Sequence, residues 1–105
     1  MTYINKAKIV PGLKGWLLIE FDDRSIKLAN INPIMNGVLE KLKDQTFFEK
    51  VFVDDELRTV TWPGELDLNP DNLYQKGIDI EHVKNLVQAV KNNDDFNDFL
   101  NKEIV

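Results

Sequence analysis

Apolar and polar residues alternate along the first thirty positions, and then the period changes. In "YINKAKIV", residues 3–10, the alternation is loose and stops at Pro11-Gly12, a turn signal that predicts a first strand. "GWLLIEF" predicts a second strand, with Leu17, Ile19 and Phe21 on one face and Trp16, Leu18 and Glu20 on the other. Asp22-Asp23, Arg24 and Ser25 read as a hairpin turn into "SIKLANI", where Ile26 and Leu28 alternate with Ser25, Lys27 and Ala29. Three antiparallel strands therefore open the chain.

At Asn32-Pro33 the period lengthens. Asn is a natural N-cap, and Pro at the first helical position loses only a donor that would have had no partner. Ile34, Val38, Leu39 and Leu42 follow at helical spacing, Lys41 and Lys43 suit the C-terminal end of the dipole, and Gly37 weakens the middle. After "DQTFFEK", the stretches "VFV" and "LRTVTW" predict two strands joined by the acidic turn Asp54-Asp55-Glu56, with Val60 and Trp62 on one face. "TWPGELDLNPDNLY" then supplies a Pro63-Gly64 turn, core positions Leu66 and Leu68, and an Asn69-Pro70 cap for a short helix "PDNLYQK". From Asp79, a third cap, Ile80, Val83, Leu86, Val87 and Val90 fall on one helical face, and Phe96, Phe99, Leu100 and Ile104 form a shorter stripe beyond it. The expectation is an α+β fold: an antiparallel sheet of β-β-β-α-β-β order over residues 1–77, with a C-terminal helical extension over 78–105, in a single domain.

Composition narrows the chemistry. With 105 residues, 43% apolar and 30% charged, the chain is one ordinary globular domain that buries roughly two-thirds of its unfolded surface. It has no cysteine, so disulfides, thiolate metal sites and cysteine nucleophiles are excluded, and a cytoplasmic setting is expected. The N-terminus lacks the apolar core of a signal peptide, and "WLLI" is far too short to span a bilayer. Charge is uneven: residues 1–53 hold eight Lys/Arg and six Asp/Glu, whereas 54–105 hold five and twelve. The acidic second half repels phosphate backbones and favours a basic protein partner.

Candidate sites are few. Asp67, Asn69 and Asp71 match the first three positions of a calcium loop, but Asn72 stands where its glycine belongs and Ile78 where its bidentate Glu belongs; the helix-capping use accounts for every residue, so no metal is expected. His82 is the sole histidine and Ser25 the sole serine, in segments far apart, and no catalytic constellation or phosphate loop is predicted. Asp22/Asp23 and Asp54/Asp55 suit solvated turns. Lys6, Lys8, Lys14, Arg24 and Lys27 with Tyr3 and Trp16 would make a modest basic, aromatic sheet face, the basis of an alternative nucleic-acid-binding regulator; solvated edge lysines explain the same residues.

The strand order and the stretch around Trp62 resemble a small bacterial family, domain of unknown function 2442. "FDDRS" matches its acidic hairpin turn, "NGVLEKLKDQTFFEKVFV" its helix-to-strand passage, and Trp62, Pro63, Asp67, Pro70, Leu73 and Tyr74 its Trp-Pro-Asn-Gly-x-Asp-x-x-Pro-x-x-Leu-Tyr signature. The similarity runs over residues 4–77. Glu65 stands in place of the signature's glycine, with Gly64 one position early, and Arg24 stands where the hairpin usually has glycine. The resemblance implies a compact α+β domain, no known activity and no cofactor. Some relatives carry a helix-turn-helix after this domain, and members often stand beside another small protein, which suggests an accessory or antitoxin-like role.

The sequence thus points to a noncatalytic protein-interaction domain with a small, basic protein partner or a second copy of itself. Its docking face is expected on Val83, Leu86, Val87, Val90, Phe96, Phe99 and Leu100, flanked by Glu81, Asp94, Asp95 and Asp98. The same stripe also suits packing against the protein's own sheet.

Overall fold

Alternation in the second strand decides where the core lies. The structure, a computed structural model, describes residues 2–91. Strands β1 (Ile4–Val10), β2 (Leu13–Phe21) and β3 (Ile26–Asn30) form a meander. Ile4 opposes Phe21, and Leu17 and Ile19 oppose Ala29 and Lys27. Leu17, Ile19 and Phe21 are fully buried, as their shared face requires, while Trp16, Leu18 and Glu20 on the other face are only half-buried.

The segment after β3 keeps its place in the order but not its expected form. Asn32 caps no α-helix: it is itself the first residue of a 3₁₀ turn that has no side-chain cap, and its carboxamide is held over the sheet end, donating through Nδ2 to the Lys14 carbonyl at 2.9 Å and to Asn30 Oδ1 at 2.8 Å. A Cβ at Gly15, whose φ is +80°, would overlap that carboxamide, which is why a glycine stands opposite it. Two 3₁₀ turns follow, Asn32–Ile34 and Gly37–Lys43, separated by extended Asn36 and the left-handed φ of +58° at Gly37. Only Gln45–Phe48 is α-helical (α1), and its cap is Asp44, whose Oδ1 accepts from the Thr46 amide at 3.0 Å. Broken this way, the segment buries Leu42 and half-buries Leu39 but leaves Val38 at 80% exposure, against its expected place on the apolar stripe.

Sheet pairing then resumes in a second, separate unit. β4 (Phe52–Val53), β5 (Val60–Trp62) and β6 (Leu66–Asp67) make a three-stranded antiparallel sheet of that order. Helix α2 (Pro70–Lys76) leads to β7 (Ile78–Asp79), which returns to the first sheet beside β3, giving it the order β1-β2-β3-β7. Two-residue β6 and β7 are too short to leave a periodic signal. Helix α3 (Ile80–Lys91) follows β7 directly and contacts β3 and β7. The two sheets share one core, in which Leu17, Ile19, Phe21 and Ile31 meet Phe48, Val60 and Trp62, and the Ile4 amide ties the meander to the β4–β5 turn by bonding the Arg58 carbonyl at 2.8 Å.

Three turns hold a non-glycine residue in the left-handed region, and Arg58 (φ +57°) before β5 is one of them. Arg24 (φ +75°) and Glu65 (φ +63°) both adopt the left-handed conformation that glycine accepts without cost, and they are the two positions at which the chain departs from the glycines of the family it resembles. The departures thus change the residue and keep the turn. Arg24→Gly and Glu65→Gly are each expected to raise stability by about 0.5–1 kcal/mol, the left-handed penalty less the extra chain entropy of glycine. A urea titration checks this; unchanged or lower midpoints for both would show that these turns carry no such strain.

Candidate functional site

Each end of the "TWPGELDLNPDNLY" stretch has a distinct structural task. Trp62 is fully buried, its indole N–H donating to the Phe48 carbonyl at 2.8 Å and its ring lying 5.5 Å from that of Phe48. Pro63 and Gly64 make the exposed turn into β6. Asn69 caps α2 by accepting the Asp71 amide at 2.8 Å, Pro70 opens the helix, and Leu73 is buried. Of the alternating Asp67, Asn69 and Asp71, the last two thus serve the cap, while Asp67 lies on β6 opposite Thr61. Among the described residues no group of three or more His, Cys, Asp or Glu side chains converges as metal ligands.

Tyr74 reaches back to the first hairpin. Its hydroxyl donates to Asp23 Oδ2 at 2.6 Å, while the Ser25 hydroxyl and amide donate to Asp23 Oδ1 at 2.6 and 2.9 Å. Phe21 packs edge-on to the Tyr74 ring at 5.0 Å, and the Lys27 ammonium sits 4.1 Å above it. The Ser25 hydroxyl first, and the Tyr74 hydroxyl next, hold the Asp23 carboxyl down at about 2, and the carboxylate in turn keeps the Tyr74 hydroxyl above its ordinary range. A phenol held protonated and a carboxylate held ionised make a fixed staple, poorly suited to taking up or releasing a proton near neutrality. His82 is exposed on α3 and bonds to neither.

The lysines expected on one face divide. Lys6 and Lys8 share the outer face of the first sheet, with Lys6 opposite Glu20, whereas Lys27 opposes Ile19 on the other face and is taken up by Tyr74. Tyr3 lies under the Arg58 guanidinium at 4.9 Å. A carboxylate within the row and a lysine on the reverse side dilute the basic patch that the sequence suggested.

Two concave or apolar regions remain. A cleft of about 390 Å³ runs between α2 and the end of β3, with Ile31, Leu68 and Leu73 in its wall and Asn72 and Lys76 at its rim; Asp67 also lines it. The second region is α3. None of its residues is buried: Val83 and Val90 are half-buried, and Leu86 and Val87 are 53% and 47% exposed. The continuation of the stripe at Phe96, Phe99 and Leu100 lies outside the described residues, as do Asp94, Asp95 and Asp98. The Asp79 cap is in place, its Oδ1 accepting the Glu81 amide at 2.8 Å. No helix among the described residues is long and apolar enough to cross a membrane.

A family model described as "Protein of unknown function (DUF2442)" matches residues 13–79. The chain belongs to this family. The match opens at the start of β2 and closes at the end of β7, so the DUF2442 span takes in the strand that returns to the first sheet and stops where α3 begins. No curated protein and no solved structure matches the chain.

The staple makes stability depend on acid pH. Asp23 titrates at about 2 in the folded chain against 3.8 ordinarily, so the stability it contributes is complete above about pH 5 and is lost as pH falls through 3.8 toward 2. Ser25→Ala, and to a lesser degree Tyr74→Phe, are expected to flatten this part of the stability profile between pH 2 and 5, measured as urea midpoints. Identical profiles for wild type and both variants would place the carboxylate outside the staple.

Proposed function

We propose that this DUF2442 chain is a noncatalytic protein-interaction domain, an accessory or antitoxin-like partner in a small bacterial two-protein system of the cytoplasm. The observation that carries this proposal is the pair Leu86 and Val87, adjacent, aliphatic and about half exposed on a helix with no buried residue. An amphipathic helix that spent its apolar face wholly on its own sheet would bury those side chains. Residues 1–77 are then the core, and 78–105 the extension that presents the docking face, anchored by the pairing of Ile78 and Asp79 with Leu28 and Lys27.

The partner is a small basic protein. A net charge of −5, concentrated in the second half, favours such a partner by steering and disfavours a nucleic-acid backbone. The hydroxyls of Ser25 and Tyr74, committed to one carboxylate, support the noncatalytic assignment.

Co-expression of the tagged chain with the product of its neighbouring gene, followed by light scattering of what co-purifies, is expected to give a complex of the two. Leu86→Glu with Val87→Lys should abolish that complex while changing stability by no more than about 0.5 kcal/mol, since both sites are exposed. A complex that survives the double substitution would remove α3 as the docking face. Retention of the chain on DNA at low salt, lost with Lys6→Ala and Lys8→Ala, would favour the regulator alternative instead.

A further inference from the structure

The second sheet has an outer face that the core does not use. Pairing places Phe52, Thr61 and Asp67 in one row across β4, β5 and β6, while Val60 and Trp62 point the other way into the core. Above that row lies a groove of about 550 Å³, within the range of peptide and ligand sites. Its floor is the buried Thr61, and two large apolar side chains stand in it open to solvent, Phe52 at 44% and Leu57 at 53% exposure.

Its charge has one sign. Asp54, Glu56, Glu65 and Asp67 line the groove, no Lys or Arg does, and none of the four carboxylates forms an ion pair among the described residues. The cation closest in sequence, Arg58, is turned away, its guanidinium over the Tyr3 ring and within 3.4 Å of Asn5 Oδ1. The groove is also held in shape before anything binds. Asp54 Oδ1 accepts the Glu56 and Leu57 amides at 2.8 and 2.9 Å, fixing the turn that presents Leu57.

We propose that this groove is a docking site for an extended, basic segment of a partner protein, with one apolar side chain of the segment between Phe52 and Leu57 and Lys or Arg on either side of it. Charge complementarity selects that occupant. A neutral or acidic segment covering Phe52 and Leu57 would desolvate the Glu56, Glu65 and Asp67 carboxylates with nothing to pair them. A phosphate backbone would be repelled. The site shares no residue with α3, so it stands whether or not α3 is the docking face.

The test is an amide-resolved NMR titration of the isotope-labelled full chain with the blocked peptide KLRLK. Saturable shifts at Phe52, Leu57, Thr61 and Glu65, weakened by added salt, are expected, with a dissociation constant raised about fivefold by Glu65→Lys or Glu56→Lys and by Leu57→Ser. Glu65→Lys retains a side chain at the same left-handed position, and Glu56 and Leu57 are exposed, so the variants keep the wild-type spectrum elsewhere. The site is overturned by an absence of saturable shifts at millimolar peptide, by variants that bind as wild type does, or by equal binding of the acidic peptide ELDLE. Shifts confined to α3 would overturn it as well, while leaving the α3 proposal intact.

Discussion

Burial of Trp62 is the constraint on which the rest of the fold depends. It is the largest fully buried side chain of the chain, and it sits on a three-residue strand that pairing alone could not hold. Its indole N–H needs an acceptor inside the core, and the one it finds is the carbonyl of Phe48, the last residue of a four-residue helix. One bond thus fixes a short strand, a short helix and the 5.5 Å ring contact between them. Without it α1 would be too short to persist, because a single helical turn has little stability of its own.

How legible this was in the sequence follows from the length of each element. β1, β2 and β3 are long enough to alternate, and Leu17, Ile19 and Phe21 could be placed on the core face from period alone. Caps at Asn69 and Asp79 were equally legible, because Asx-Pro and Asx-before-stripe are local chemistry that tertiary context did not override. At Asn32 the same signal misled. Its carboxamide donates to Asn30 two residues back and to the Lys14 carbonyl on the neighbouring strand, and no local pattern encodes the second contact. The division into two sheets was hidden for a related reason: β6 and β7 are two residues each, and only their partners define them.

Of the candidate site, the turn acids were legible as turn acids, but the link from Asp23 to Tyr74 was not. The two lie 51 residues apart and meet because β7 brings the end of α2 back beside β3. The link gives the DUF2442 span a physical unity. Its acidic hairpin and the Leu-Tyr end of its signature are two halves of one contact, in which an edge-on Phe21, a stacked Lys27 and three donors to one carboxylate close the first sheet over α2. A tyrosine so placed serves the fold, whatever the domain binds.

Binding capacity then has to come from what the fold leaves uncovered. The short strands that made the second sheet hard to see also limit how much it can hide. Val60 and Trp62 point from β5 into the core, and on the other side of these short strands Phe52 and Leu57 remain half in water. Helix α3 has the same difficulty in another form: it lies against β3 and the two-residue edge strand β7, and Leu86 and Val87 of its apolar stripe remain about half exposed. The groove is ringed by Asp54, Glu56, Glu65 and Asp67, whereas on the helix Glu81 is paired with Lys84 at 3.5 Å. In the groove, Phe52 and Leu57 stand among carboxylates of one sign, so a second copy seated there would bring its own carboxylates against them. A segment of opposite charge meets no such barrier, and the proposal of a basic occupant for the groove rests on that difference.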